Sequence, residues 1–380
     1  MNFALTDTQK AIQKLAADFA AKELAPTVEA RYEREAEYDR SQFVKAGALG
    51  LVGIPYPEDL GGAGADYISY ALAVEEFAKV DGGFAISISV HTSLCTWPIY
   101  NYGNDAQKKK YVTPLASGKA MGSFGLTEPN AGTDVAGGST VAELKGDKYV
   151  LNGAKCFITN AGESDTYVVF ALTDKSKGPK GMSAFIVEKG WKGFTFGKTE
   201  KTMGLRSARV RELIFQDMEV PKENLLGNEG DGFKIAMTTL DGGRIGVAAQ
   251  STGLAMGALG HAIKYTKERT QFGKPISSNQ ALQFMMAEMA TQCDAAHLMT
   301  MRAAYTKDTA KSWSVEAAMA KMFASDTAMS VSVDAVQLFG GYGYTEEYPV
   351  ERYMRDAKIC QIYEGTNQVQ RMVISGSILR

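Results

Sequence analysis

KYVLNGAKCFIT, residues Lys148 to Thr159, stands where the character of the chain changes. Its apolar and β-branched residues suit strands, and Asn152-Gly153 is a favoured hairpin dipeptide. The stretch therefore predicts two short strands joined by a tight turn. TYVVFAL (166–172) and MSAFIVEK (182–189) predict further strands, separated by the turn-rich DKSKGPKG (174–181). Strand and turn signals extend from about Ser123 to Gly227.

On both sides of this block the period is helical. Thr6 and Gln9 form a capping box, Ile12, Leu15 and Phe19 share one face, and Pro26 ends the helix. Pro55 to Gly64 is a loop feeding an apolar helix. After Gly232 the helical pattern persists to Arg380. There Leu282, Met285, Met286, Met289, Cys293 and Ala296 recur at helical spacing, as in a bundle core. Helices, then a sheet, then helices predict an α+β fold with segregated layers, not a doubly wound one. The corresponding domains are 1–120 (helical), 121–230 (β) and 231–380 (helical bundle).

The 380 residues fit two or three domains. With 45% hydrophobic and 22% charged residues the chain can build a sizeable core. A net charge of −2 gives no footprint for nucleic acid or an anionic membrane. Lys108 to Lys110 reads as a solvated helix face. The N-terminus lacks the basic leader and apolar run of a signal peptide, and no apolar run is long enough to span a membrane. A cytoplasmic location is expected. Cys95, Cys156, Cys293 and Cys360 are far apart, which suggests a reducing compartment without disulfides or zinc. His91, His261 and His297 have no second ligand at helical spacing, so no metal is expected. Neither GxSxG nor a Walker motif occurs. LGNEGDGF (226–233) superficially resembles a phosphate loop. No strand is predicted ahead of it, and Glu229 and Asp231 would repel phosphate, so it reads as a turn before the next helix.

Five stretches invite chemistry. FGLTEPNAGTD (124–134) gathers small residues and hydroxyls that let a backbone approach a flat ligand, or it is a surface loop. In FITNAG (157–162), Thr159 follows a strand and either reaches a ring edge or ends a hairpin. In ERTQFGKPI (268–276), Arg269, Gln271 and Lys274 close a long helix as dipole complements, or Arg269 grips a pyrophosphate. TTLDGGRIG (238–246) puts two glycines inside a helical pattern, at about 1 kcal/mol each relative to alanine, which suggests a close approach beside Arg244. QIYEGTNQVQR (361–371) sets Glu364 before a helix, either as a dipole acid or as a base at a pocket edge.

Together with QLFGGYGYTEEYP (337–349), these stretches resemble the acyl-CoA dehydrogenase family along essentially the whole chain, and most of all its short-chain, butyryl-CoA-type bacterial members. The resemblance implies an N-terminal helical domain, a middle β-sheet domain and a C-terminal four-helix bundle. It implies a homotetramer, a dimer of dimers, with one FAD per subunit. By the same resemblance Phe124, Leu126, Thr127, Gly132 and Thr133 bind the flavin, and Phe157, Ile158 and Thr159 lie against its ring. Many relatives carry Trp at the position of Phe157. Arg269, Phe272, Gln280, Gln337 and Gly341 match residues that hold a neighbouring subunit's FAD, Thr366 and Gln368 match residues near the FAD adenosine diphosphate, and Leu338, Gly340 and Asn367 fall at further cofactor positions. Thr133, Asp241, Gly242, Gly243, Arg244 and Gly365 fall at substrate positions.

Glu364 matches the family's catalytic base, with Arg244 in support. The implied reaction removes the pro-R α-proton of a short acyl-CoA while the β-hydrogen leaves as hydride to flavin N5. It takes butyryl-CoA to crotonyl-CoA, or runs in reverse, and exchanges electrons with an electron-transferring flavoprotein. The thioester carbonyl is held in the family by the N–H of the base and a ribityl hydroxyl, an arrangement that contributes about 2.7–4 kcal/mol per donor. One branch of the family carries its base just before the arginine matching Arg244. Here that residue is Gly243, which argues against isovaleryl-type and long-chain-type members. Glutaryl-type members carry an arginine where this chain has Ala85, and no Lys or Arg occurs from Val80 to Ala106. Arg209 and Arg211 depart from the short-chain pattern. The rival readings are an acyl-CoA oxidase, against which the short length weighs, and a non-catalytic helical binding protein.

Overall fold

The computed structural model describes residues 3–33 and 37–379. Its first helix, Asp7–Phe19, starts at the expected capping box: Thr6 Oγ1 accepts the Gln9 N–H at 3.2 Å, and the Thr6 N–H donates to Gln9 Oε1 at 2.9 Å. It then widens into a π-helical turn, Ala20–Leu24, before Pro26. The loop after Pro55 leads into the Tyr67–Ala78 helix, which Asp66 caps and which is buried nearly all round. Such a helix has no polar stripe because neighbours cover every side.

The sheet strands are β1 (Gly122–Gly125), β2 (Val141–Lys145), β3 (Lys148–Thr159), β4 (Thr166–Leu172), β5 (Met182–Glu188), β6 (Phe194–Thr199), β7 (Val210–Pro221) and β8 (Leu225–Leu226). They lie in the order β6-β7-β3-β2-β4-β5-β8, with β1 parallel to β4. Strand β4 separates two cores. Val168 and Phe170 face the helices, whereas Tyr167, Val169 and Ala171 pack with Tyr149, Phe185 and Leu213 on the other face. Burial on both faces is why TYVVFAL is continuously apolar.

The hairpin expected at Asn152-Gly153 does not form. Strand β3 runs straight through and pairs with β7 on both sides of the dipeptide. Gly153 sits at a slip in that register, with Thr140 too close to admit a side chain, and Asn152 Oδ1 accepts the Asp217 N–H at 2.8 Å. Pairing along the whole of β7 outweighs one local turn preference. The actual turn precedes β3, where β2 pairs back from Lys145 to Lys148 and Gly146 has φ 66°. A strand does precede LGNEGDGF, but β8 is only two residues long.

The C-terminal helices are Gly232–Glu268, Gln280–Thr309, Ser314–Phe339, Val350–Cys360 and Asn367–Ile378. Met289, Cys293 and Ala296 are buried and Leu282, Met285 and Met286 pack beside them, as a bundle core requires. Gln271 and Lys274 do not lie on the long helix. It stops at Glu268, and Thr270–Gln271 pairs with Lys274–Pro275 in a small hairpin. The four cysteines are free and buried. Among the described residues no helix is long and apolar enough to cross a membrane, and no His/Cys/Asp/Glu group is arranged to hold a metal.

Candidate functional site

Glu364 lies between the last two helices, in a left-handed conformation (φ 53°), followed by Gly365 at φ 92°. A non-glycine residue there costs about 1–3 kcal/mol and persists only where surrounding contacts over-determine it. They do so here. The Glu364 carbonyl accepts from Arg244 Nε at 3.4 Å and Gln370 Nε2 at 3.2 Å. The Gly365 carbonyl accepts from Lys321 Nζ at 2.8 Å and Gln370 Nε2 at 2.8 Å. Thr366 caps the following helix by accepting the Val369 N–H, so Glu364 is not needed as a capping acid.

Both carboxylate oxygens of Glu364 are buried and find no partner among the described residues. Burial pushes this carboxyl up to about 8, against the opposing pull of Arg244 and Lys321. The close approach signalled by the two glycines is made by Glu364 itself at Gly243 and by Lys307 at Gly242. A Cβ on Gly243 would lie 2.6 Å from Leu94 Cδ2 and overlap Glu364 Oε2. A Cβ on Gly242 would come 3.0 Å from Lys307 Nζ. Asp241 Oδ1 pairs with Arg244 Nη1 at 2.5 Å and accepts from Ser314 Oγ at 3.0 Å, which aims the guanidinium at the Glu364 turn.

Glu364 is part of the wall of a cavity of about 190 Å³. Its walls bring together Phe124, Leu126, Thr127, Gly132, Thr133, Phe157, Ile158 and Thr159 with Arg244, Glu364 and Gly365. Ile86, Val90, Leu94, Val135, Met237, Leu240, Tyr363 and Val369 complete it. Sequence reasoning missed these eight as lining residues, because an apolar pocket wall has the same pattern as core. Phe157 sits in a second register slip of β3 against β7, with φ 57°, and stays 69% exposed. A bulge of this kind re-aims a side chain out of the sheet.

Behind Phe157, Lys155 Nζ meets Glu128 Oε1 at 2.6 Å, both side chains being almost wholly buried. Burial opposes ionisation of Glu128, but Lys155 and the Ser139 and Thr140 donors hold its carboxyl down at about 2. The Cys156 N–H donates to the Thr127 carbonyl at 2.9 Å. These bonds stitch the 124–134 loop to the Phe157 bulge. Gly132 faces open space, and with an exposed aromatic ring and three threonines nearby the cavity fits a flat, polar-edged cofactor such as a flavin.

A second cavity, of about 490 Å³, is lined by Arg269, Gln337, Leu338, Gly340 and Gly341, and shares no residue with the first. The Arg269 guanidinium lies 5.3 Å from the Tyr342 ring centre. Phe272, 99% exposed at the hairpin tip, and the exposed Gln280 lie outside both linings. Gln368 is exposed, whereas the Asn367 side chain turns inward to Lys321, Ser325 and Asp326. The candidate cofactor residues therefore do not share one cavity on this chain: one group lines the first, another the second, and Phe272, Gln280, Thr366, Asn367 and Gln368 line neither.

This order of helices, sheet and bundle, with an acid at the junction, matches one family along the chain. The N-terminal, middle and C-terminal domain models of acyl-CoA dehydrogenase match residues 6–119, 123–218 and 230–379. The chain belongs to the acyl-CoA dehydrogenase family. It is 54% identical to "Acyl-CoA dehydrogenase, short-chain specific" of Megasphaera elsdenii, covering 100% of both chains. The solved structure of butyryl-CoA dehydrogenase from that organism superposes with a TM-score of 0.98, at 54% identity over 100% of both chains. A chain from "Electron transferring flavoprotein of Acidaminococcus fermentans: Towards a mechanism of flavin-based electron bifurcation" superposes at 0.99, with 60% identity and full coverage of both.

Proposed function

We propose that this chain is a FAD-dependent short-chain acyl-CoA dehydrogenase interconverting butyryl-CoA and crotonyl-CoA, with Glu364 as the base. The buried, unpartnered Glu364 carboxylate at the cavity wall carries this reading. Burial makes it a stronger base than an ordinary carboxylate, as removal of a proton from carbon demands. Its oxygen takes the α-proton and is left as a neutral acid, the form that burial favours. Among the described residues the Glu364 N–H has no protein acceptor, which leaves it available to a thioester carbonyl, and Gly365 adds no side chain to obstruct approach. Ile86, Val90 and Leu94 give a short acyl chain an apolar wall and exclude water. Phe157, Ile158, Thr159, Thr127 and Thr133 would hold FAD, which supplies the acceptor for the β-hydride when bound.

Electrons then pass to or from an electron-transferring flavoprotein. Arg269, Phe272 and the second cavity would serve the FAD of a neighbouring subunit in a homotetramer. Domains at 1–120, 121–230 and 231–380 and a cytoplasmic location complete the proposal. Anaerobic titration with butyryl-CoA tests it. The visible flavin band bleaches, and Glu364→Gln keeps the flavin but does not bleach. A yellow protein unresponsive to butyryl-CoA sinks the substrate assignment, and bleaching by Glu364→Gln sinks the base.

A further inference from the structure

Lys321 lies mid-way along the Ser314–Phe339 helix and is fully buried, an uncommon place for a lysine. Its ammonium donates to the Gly365 carbonyl at 2.8 Å and to Asn367 Oδ1 at 2.9 Å. Asn367 is itself fixed: its Nδ2 donates to Asp326 Oδ1 at 2.7 Å and Ser325 Oγ at 2.9 Å, and its N–H to the Gln361 carbonyl at 3.0 Å. Both acceptors of Lys321 are neutral oxygens. Burying a full charge against neutral partners is costly, and a neutral donor would make the same bonds more cheaply. The charge itself therefore calls for a role.

The groups facing Glu364 define that role. Arg244 approaches from the long helix, Lys321 from the Ser314–Phe339 helix, Tyr67 and Tyr70 from the Tyr67–Ala78 helix and Tyr363 from its own segment, while Asp326 and Cys360 face Lys321. Arg244 is paired with Asp241 at 2.5 Å, so much of its charge is offset locally. Lys321 bonds only neutral atoms and projects its charge onto the turn. Burial lowers its own titration to about 8, the same range as Glu364, so the two exchange influence over protonation.

We propose that Lys321 is a positioning residue for Glu364: its ammonium clamps the left-handed Glu364–Gly365 turn, and its charge stabilises the carboxylate form of the base. The inference rests on reading Glu364 as the base. Clamp and charge separate in three variants. Lys321→Gln keeps a donor without charge, Lys321→Arg keeps the charge, and Lys321→Met removes both.

The experiment reads Glu364 protonation directly, by difference infrared titration of the carboxylic-acid band that disappears in Glu364→Gln, with FAD content and the butyryl-CoA bleaching rate measured alongside. In Lys321→Gln and Lys321→Met the titration moves up by about one pH unit and bleaching at pH 7 slows about tenfold in Lys321→Gln, with flavin retained, and further in Lys321→Met, which also loses the clamp; a Lys321→Met no slower than Lys321→Gln overturns the clamp. Lys321→Arg returns the titration toward the parent. An unmoved titration in folded Lys321→Gln overturns the charge role, as does an equal shift in Lys321→Arg. Failure of all three variants to fold makes Lys321 structural and overturns the proposal as well. An unchanged titration in an enzyme that still bleaches would leave the base assignment standing, so the two readings fail separately.

Discussion

Gly243→Ala should leave the protein folded and disable it. In an exposed helix alanine is favoured over glycine by about 1 kcal/mol. Here the new methyl meets the ends of two flexible side chains, Leu94 Cδ2 at 2.6 Å and Glu364 Oε2 closer still. Ordinary contact needs about 3.5 Å, so both ends must retreat by about 1 Å or more. Side-chain ends can do so at small cost, and the melting temperature stays near that of the parent. The base, however, leaves its place. A misplacement of about 1 Å costs on the order of 10²-fold in rate, or about 2.7 kcal/mol of barrier. Stopped-flow bleaching with butyryl-CoA, with FAD content and melting temperature measured on the same sample, checks this. A folded, flavin-loaded Gly243→Ala that bleaches within about threefold of the parent would refute the reasoning.

Lys155→Met leaves Glu128 buried without its cation, which costs about 3–5 kcal/mol for a broken buried pair. A lower melting temperature and weaker FAD retention are expected, and an unchanged melt contradicts the stitch between loop and bulge. Glu364 titrates higher in the folded chain than its ordinary value of 4.5. The stability its neutral form confers is therefore full below the ordinary carboxylate range and is lost as pH rises through about 8. The parent should lose melting temperature relative to Glu364→Gln between about pH 5 and pH 9, and parallel curves would contradict the buried carboxyl. Phe272→Ser removes a side chain that is 99% exposed in the single chain and worth about 1.5–3 kcal/mol if a neighbouring subunit covers it. Light scattering should report a smaller or weaker assembly, and an unaltered mass at low concentration denies Phe272 an interface role.

Much of the fold was legible because its signals are local. The Thr6–Gln9 box spans three positions, and the helical and strand periods repeat within a few residues. TYVVFAL announced a strand, but that both its faces are buried, and by what, came from the packing. Glu364 and its flavin-side partners were legible as motif residues, and the glycines at 242 and 243 as an anomaly awaiting a cause. What stayed hidden was long-range. Asn152-Gly153 is a good hairpin by itself, yet β7, some sixty residues on, keeps β3 straight. Arg244 reaches the Glu364 carbonyl across 120 positions, and Lys321 reaches Gly365 across 44. No local pattern marks a lysine mid-helix as buried, or a leucine as the wall beside a base. The sequence alone determined the order of helical and strand regions and which acid to suspect, because capping and periodicity act between near neighbours. Only the tertiary structure decided what crowds that acid, what clamps its turn and what lifts its basicity, because burial and opposing charge come from segments distant in the chain.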